Sequence, residues 1–254
     1  MLTLHIYAVA YNVGAEARPP TLRGVTGPRL HLIFDADDTL WEANILFDRA
    51  INDFIEWIAH PTSDKASIRA TLNDIEAANA FAHGYGTRVF LMSLHECFER
   101  MLERPPAADD VARIEKLAEP LLTHAIEPID GVESTLIELG ARHDLLMLTK
   151  GDEREQQEKI DLSGFASHFR RIVIVPEKST EVYVNLVEVE ALDPARTWMI
   201  GNSPKSDIGP ALAAGLGAVF IPNANTWVLE HDDLDESAAR LVQLERFVDL
   251  LSHF

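Results

Sequence analysis

The sequence predicts an α/β fold: a doubly wound parallel sheet carrying an inserted α-helical domain. Three observations predict it. Five short apolar runs recur from Leu30 onward, and helix-length amphipathic stretches separate the last four. The gap between the first run and the second is several times what one crossover helix fills. The runs occupy 30–34, 145–148, 171–175, 197–200 and 218–221, each short enough for a strand buried on both faces.

Ahead of the first run lies MLTLHIYAVAYNVGAEARPPTLRGVTGPR, apolar at its start and then broken by Pro19, Pro20, Gly24, Gly27 and Pro28. No basic residue precedes the apolar start, and Glu16 falls in the small-residue region where cleavage would have to occur. A secretory leader is therefore not expected. Residues 1–28 read as an extension, either loose or adding a strand to the core.

The first strand ends in LHLIFDADDTL, with Asp35 and Asp37 one residue apart. Carboxylates at the end of a buried strand are costly unless a cation pairs with them. A divalent ion with a phosphoryl group beside it meets that need. The long gap then reads as helix at 45–59, 64–79, 87–102 and 109–123, with apolar residues at three and four spacing. Pro61, the His83-Gly84-Tyr85-Gly86 segment, Pro105-Pro106 and Pro128 punctuate it. The expected organisation is an α/β core from 29–44 and 128–254, with a helical insertion at 45–127.

After the insertion, Asp130-Gly131 leads into VESTLIELGARH, a helix with Val132, Leu136 and Leu139 inward and Gly140 near its C-cap. Ser206 or Asp207 is expected to cap IGPALAAG, with Pro210 in its first turn and Gly215 closing it. The terminal LVQLERFVDLLSHF has helical periodicity and is expected to pack on the core.

Composition narrows the function. A formal net charge of −19 over 254 residues argues against nucleic-acid or anionic-membrane partners. The single Cys97 rules out an internal disulfide framework and fits a reducing, cytoplasmic setting. Within FLMSLHECFERML it reads as a buried helical thiol. No apolar stretch approaches the roughly twenty residues of a membrane helix.

Ligands of an open parallel sheet bind beyond the carboxyl ends of its strands. The unusual polar residues fall there: Asp35 and Asp37, then Thr149-Lys150-Gly151, then Lys178, then Gly201-Asn202-Ser203-Pro204-Lys205-Ser206-Asp207. This constellation resembles the haloacid dehalogenase (HAD) superfamily of hydrolases, and within it the phosphatases with a helical (C1-type) cap inserted after the first motif. Asp35-Ala36-Asp37-Asp38-Thr39 matches the family's Asp-x-Asp-x-Thr, Thr149 its second motif, and Lys178 its third. Asn202 and Asp207 match the fourth, an acidic pair, with one departure: the first acid is an amide. The resemblance spans about 30–222.

It implies a Rossmann-like core and a Mg²⁺-dependent phosphatase acting on a small phosphorylated metabolite, of the sugar phosphate or nucleoside monophosphate class. Asp35 would attack phosphorus and form an aspartyl-phosphate, with Asp37 as general acid and then base. Mg²⁺ would be held by Asp35, the Asp37 carbonyl and Asp207, with Asn202 offering an amide oxygen in place of a charge. Thr149, the amides of Lys150 and Gly151, and Lys178 would hold the phosphate.

Each residue has a plainer reading. Asp-x-Asp can cap a helix, Thr149 can close a strand edge, and Lys178 in PEKST can be solvated, with Lys205 as its rival. In the cap, Tyr85 and Arg88, near Phe81 and His83, are candidates for substrate choice, or else core aromatics and an exposed arginine. Trp41, beside Glu42 and Asn44, is a candidate for the site entrance, or else packing. Three other functions use the same residues: a 2-haloacid dehalogenase, which Asp37 disfavours, a phosphomutase, and a binding module with impaired catalysis. A phosphonatase typically lacks the second aspartate and is disfavoured too.

Overall fold

A computed structural model describes residues 9–11, 29–59 and 64–254. The chain divides into two compact units. One comprises the described residues up to Glu42 and from Ile126 onward; the other is Ala43–Ala125.

The first unit opens with β1 (Val9–Tyr11), β2 (His31–Phe34) and β3 (Trp41–Glu42). The second holds α1 (Asn44–Ile58), α2 (Lys65–His83), α3 (Thr87–Leu102), α4 (Ala108–Leu117) and α5 (Glu119–Leu122). The chain then returns through β4 (Glu127–Pro128), α6 (Val132–Arg142), β5 (Asp144–Lys150) and α7 (Glu153–Ser163). Next come β6 (Arg171–Val175), α8 (Thr180–Val189), β7 (Thr197–Gly201) and α9 (Gly209–Ala213). It ends with β8 (Gly217–Phe220), β9 (Leu241–Gln243) and α10 (Leu250–His253).

The main sheet runs β1-β6-β5-β2-β7-β8-β9. Its last six strands are parallel, and β1 pairs antiparallel with β6. Strand alternation divides the core between two faces. Leu32, Phe34, Leu145, Met147, Ile172 and Ile174 pack with Val132, Leu136 and Leu139 of α6 and Ile160 of α7. Ile33, Leu146, Leu148, Val173 and Val175 face the other way, onto Val182, Tyr183 and Leu186 of α8 and Ala211 of α9. Helices on both faces of a parallel sheet make the fold doubly wound. β2 sits at its centre, so the loop after Phe34 emerges where the strand order reverses.

Three local expectations change, and one open alternative is decided. Helix α6 runs through Gly140 to Arg142 and is stopped by extended His143, so Gly140 is an interior residue there. The turn at Pro204–Ile208 is capped by Ser203, whose side chain accepts from the Ser206 amide, and not by Ser206 or Asp207. Leu241–Gln243 is an edge strand on β8, and helix is confined to Leu250–His253 after a single tight turn at Phe247–Asp249. In the N-terminal extension, Val9–Tyr11 adds a strand to the sheet; 1–8 and 12–28 lie outside the described residues.

The helical unit has its own core, built around Leu46, Ile51, Phe54, Ile68, Leu72, Leu94, Phe98 and Ile114. Cys97 is buried in it, and burial pushes its thiol up to about 12, which leaves it inert as a nucleophile at neutral pH. Among the described residues no helix is long and apolar enough to cross a membrane.

Glu76 of α2 is also buried there, and burial raises its carboxyl from 4.5 to about 7, opposed by Arg69 and aided by Asp48. Between those two values the folded state keeps a proton that the unfolded chain releases. Stability therefore falls as pH rises through the interval, by on the order of 3 kcal/mol in all. Glu76→Gln is expected to melt higher than the parent at about pH 8, with the difference closing near pH 4.5. An unchanged difference across that range would mean that Glu76 is not the titrating group.

Candidate active site

Asp35 follows β2 directly, and its amide donates to the Ile200 carbonyl at 2.9 Å, continuing the β2–β7 ladder one residue beyond the strand. The chain then turns sharply: the Thr39 and Leu40 amides both donate to Ala36, the Asp38 amide donates to Trp41, and Asp38 takes a positive φ of 59°. This tight loop keeps Asp35, Asp37 and Thr39 together.

Asp35 is 7% exposed, and its carboxylate has two donors. Lys178 Nζ reaches Oδ1 at 2.5 Å, and Thr39 Oγ1 reaches Oδ2 at 3.0 Å. Lys178 is buried, and its ammonium also donates to Asp207 Oδ1 at 2.7 Å. Burial alone would lower the Lys178 pKa, but two carboxylates against it raise it well above the usual lysine range. Lys205, its rival in the sequence, is exposed and donates to the Leu229 carbonyl.

Asp207 is fully buried, which pushes its carboxyl above the usual carboxylate range against the pull of Lys178. Its second oxygen accepts the Ser203 amide at 3.0 Å. That approach requires a glycine at Gly201, where a Cβ would stand within 2.2 Å of Asp207 Oδ2. Asp207, expected as a metal ligand, accepts from a protein donor on each oxygen and has no exposed surface, whereas Asp35, bonded on both oxygens in the same way, keeps a little. Asn202, the other fourth-motif residue, reaches Asp35 through Thr39, whose Oγ1 lies 3.2 Å from Asn202 Oδ1 and 3.0 Å from Asp35 Oδ2. Its Nδ2 donates to Thr226 Oγ1 at 2.9 Å.

Asp37 is partly exposed and held at both oxygens, by Trp41 Nε1 and by Lys159 Nζ, each at 2.7 Å. Burial pushes its carboxyl up, but Lys159, with hydrogen bonds from Lys159, Trp41 and Gln156, holds it below the usual carboxylate range. Trp41 is therefore no entrance residue: at 1% exposure its ring is core, and its indole N–H fixes Asp37. Tyr85 and Arg88 belong to the helical unit, Tyr85 half-buried between α2 and α3 and Arg88 exposed in the first turn of α3.

Thr149, near the end of β5, is buried, and its Oγ1 accepts Gln156 Nε2 at 2.6 Å, so the hydroxyl proton points to another acceptor. The expected phosphate cradle is otherwise smaller than the sequence predicts. β5 extends to Lys150, and the Gly151 amide continues its ladder by donating to Val175 O at 3.0 Å. That amide is spent on the sheet. The Lys150 ammonium turns to Glu230 Oε1 at 2.6 Å, Ser206 Oγ at 2.9 Å and Glu177 Oε1 at 3.2 Å.

Glu230 is a buried neighbour of the site that sequence reasoning missed. It accepts from Lys150, Ser203 and Ser206, and stays ionised because, despite burial, Lys150 and the two hydroxyls hold its carboxyl down. Lys159 and Gln156 were missed as well. Their one signal is a polar helix, EREQQEKIDLS, that starts just past Thr149 and sets both on one side at a spacing of three.

Among the described residues no three His, Cys, Asp or Glu side chains converge as a metal site. Two hard donors that do gather are an Asp35 oxygen and the Asn202 amide oxygen, joined through the Thr39 hydroxyl. Oxygen donors of this kind suit Mg²⁺, which keeps several waters and needs few protein ligands.

Comparisons with known proteins bear on the family and the fold. The family model for haloacid dehalogenase-like hydrolase matches residues 31–215. N-acylneuraminate-9-phosphatase of Mus musculus is 27% identical over 202 residues, 74% of this chain and 79% of the relative. A haloacid dehalogenase-like family hydrolase from Xanthomonas campestris superposes with a TM-score of 0.75 at 27% identity, covering 89% of this chain and 94% of the other. The Bacillus subtilis HAD-hydrolase YfnB, described as bound to magnesium, has the same fold at TM-score 0.59 and 22% identity, covering 89% of this chain and 98% of its own. The chain belongs to the haloacid dehalogenase-like hydrolase family.

Proposed function

We propose that this protein is a cytoplasmic, Mg²⁺-dependent phosphatase that hydrolyses a small phosphorylated metabolite through an aspartyl-phosphate on Asp35. One observation carries the reading: a buried carboxylate at the end of the central strand, oriented by Lys178 and Thr39, with a second carboxylate two residues on. The names of the curated relatives, all N-acylneuraminate-9-phosphatases, support phosphate esters over carbon–halogen bonds and put sugar phosphates first in the substrate class.

In the first transfer an Asp35 oxygen attacks phosphorus, the ester P–O bond breaks, and the leaving alkoxide takes a proton from Asp37. In the second, Asp37 accepts a proton from water, the hydroxide attacks phosphorus, and the bond to Asp35 breaks to release phosphate. Lys178 and the Thr149 hydroxyl meet the phosphoryl oxygens. The Lys159 contact suits Asp37 to the base step. Its acid step needs a proton that Lys159 opposes, so substrate arrival must loosen that pair. A Mg²⁺ held by Asp35, the Asp37 carbonyl and Asn202 would supply the charge that lets a phosphate dianion approach a carboxylate.

The test is phosphate release from a panel of sugar phosphates, nucleoside monophosphates and other esters, with Mg²⁺ and with chelator. Metal-dependent release is expected, fastest on a sugar phosphate. A folded protein that releases no phosphate from any of them, yet moves it between substrate positions or dehalogenates a haloacid, would replace the reading.

A further inference from the structure

An amide stands where a carboxylate would be the simpler cation ligand, and its neighbours decide which end of that amide faces Asp35. We propose that Thr226 is a positioning residue: its hydroxyl, tied to the Asn223 carbonyl, turns Asn202 Oδ1 toward Asp35, so that an uncharged side chain serves as an oxygen ligand for the divalent cation. This deepens the metal-assisted reading above and rests on it.

Protons can be counted along these contacts. Thr226 Oγ1 lies 2.9 Å from the Asn223 carbonyl, which accepts the hydroxyl proton. The same oxygen then has only lone pairs to offer Asn202, and receives Nδ2–H at 2.9 Å. Oδ1 is left on the opposite side, 3.2 Å from Thr39 Oγ1. Thr39 owns one proton, and the Asp35 carboxylate, 3.0 Å away, is the stronger acceptor for it. Asp35 Oδ2, Thr39 Oγ1 and Asn202 Oδ1 are all in buried residues and share a single proton. Oxygen lone pairs in such excess are what a hard cation satisfies.

Asn223 is anchored in turn. Its Oδ1 accepts the Asn225 amide at 2.8 Å, and its Nδ2 reaches the Asp38 carbonyl at 3.3 Å. The loop that orients Asn202 is thereby tied to the loop that carries Asp35 and Asp37. Without the Thr226 hydroxyl, the amide gains by reversing: its NH₂ would find acceptors on Thr39 and Asp35, and would face the cation with hydrogens.

Mg²⁺ and Mn²⁺ affinities, measured by calorimetric titration of the full chain and by the metal-dependent rise in Tm, test this directly. Thr226→Val is expected to weaken binding by on the order of tenfold or more, while Thr226→Ser, which keeps the hydroxyl, stays near the parent. A carboxylate has no wrong end, so in an Asn202→Asp background Thr226→Val should cost little. Tm in chelator identifies a variant that has merely lost its fold, and Thr226→Ala then takes its place. Parental affinity in Thr226→Val overturns the proposal, as does an equal loss in the Asn202→Asp background. No saturable binding by the parent and by Asn202→Asp would instead fall on the metal reading, and take the proposal with it.

Discussion

Asp35→Asn is expected to release no measurable phosphate, a loss of at least about four orders of magnitude in turnover, from a protein that remains folded. An amide cannot form the acyl-phosphate bond, so the first transfer has no nucleophile. The fold should survive because every contact can be remade. The introduced amide oxygen accepts from Lys178, its NH₂ donates to Thr39 Oγ1, and the Thr39 hydroxyl then turns to Asn202 Oδ1. Lys178 keeps Asp207 as counter-ion. Retained turnover in a preparation verified by mass would remove Asp35 as nucleophile. A Tm drop of many degrees would mean that its charge is structural.

Lys178→Met is expected to be the more damaging change to the fold, costing about 3–5 kcal/mol at neutral pH. It leaves Asp35 and Asp207 buried without the ammonium between them. One of the two must take up a proton, so its folded-state pKa lies above the unfolded value. The stability of the variant is therefore greatest in acid and lost as pH rises through that raised value. Asp207, the more deeply buried of the two and raised by that burial, is the natural proton acceptor. Chemical denaturation at several pH values checks this. A variant equally stable at acid and neutral pH would show that the two carboxylates are not competing for one charge. Turnover should be lost as well, and added Mg²⁺ should restore part of the stability through Asp35.

The sheet was legible where strands are long, apolar and buried, because such runs announce themselves without tertiary context. Three of the insertion's helices were equally plain, each with an apolar stripe, while the helix expected over 109–123 is broken at Ala118 into α4, which buries only Ile114, and α5. What stayed hidden has a common cause. Leu241–Gln243 is three residues long, and only the edge of β8 makes it a strand; its neighbours Leu244, Phe247, Leu250 and Leu251 mimic helical spacing. The Gly151 amide looked like a phosphate ligand because nothing local says that β5 extends to Lys150. In the site, the catalytic candidates came from residue type at strand ends, and the geometry gathers Asp35, Thr39, Lys178, Asn202 and Asp207 into one bonded group. Their supports are side chains on other elements: Thr226 behind Asn202, Glu230 behind Lys150 and Ser203, Lys159 behind Asp37. No periodicity marks a polar residue whose only distinction is what it touches.

The central place of β2 has a consequence for how the protein is made. Both strands that flank it, β5 and β7, come more than a hundred residues later. The helical unit that lies between β2 and β5 has its own core and can fold while synthesis continues. β2 cannot: it waits with both edges open, and Asp35 and Asp37 wait with it in water. The last supports to leave the ribosome, Thr226 and Glu230, lie nearly two hundred residues past the nucleophile. The nucleophile is thus among the first site residues translated, and its environment is among the last to be built.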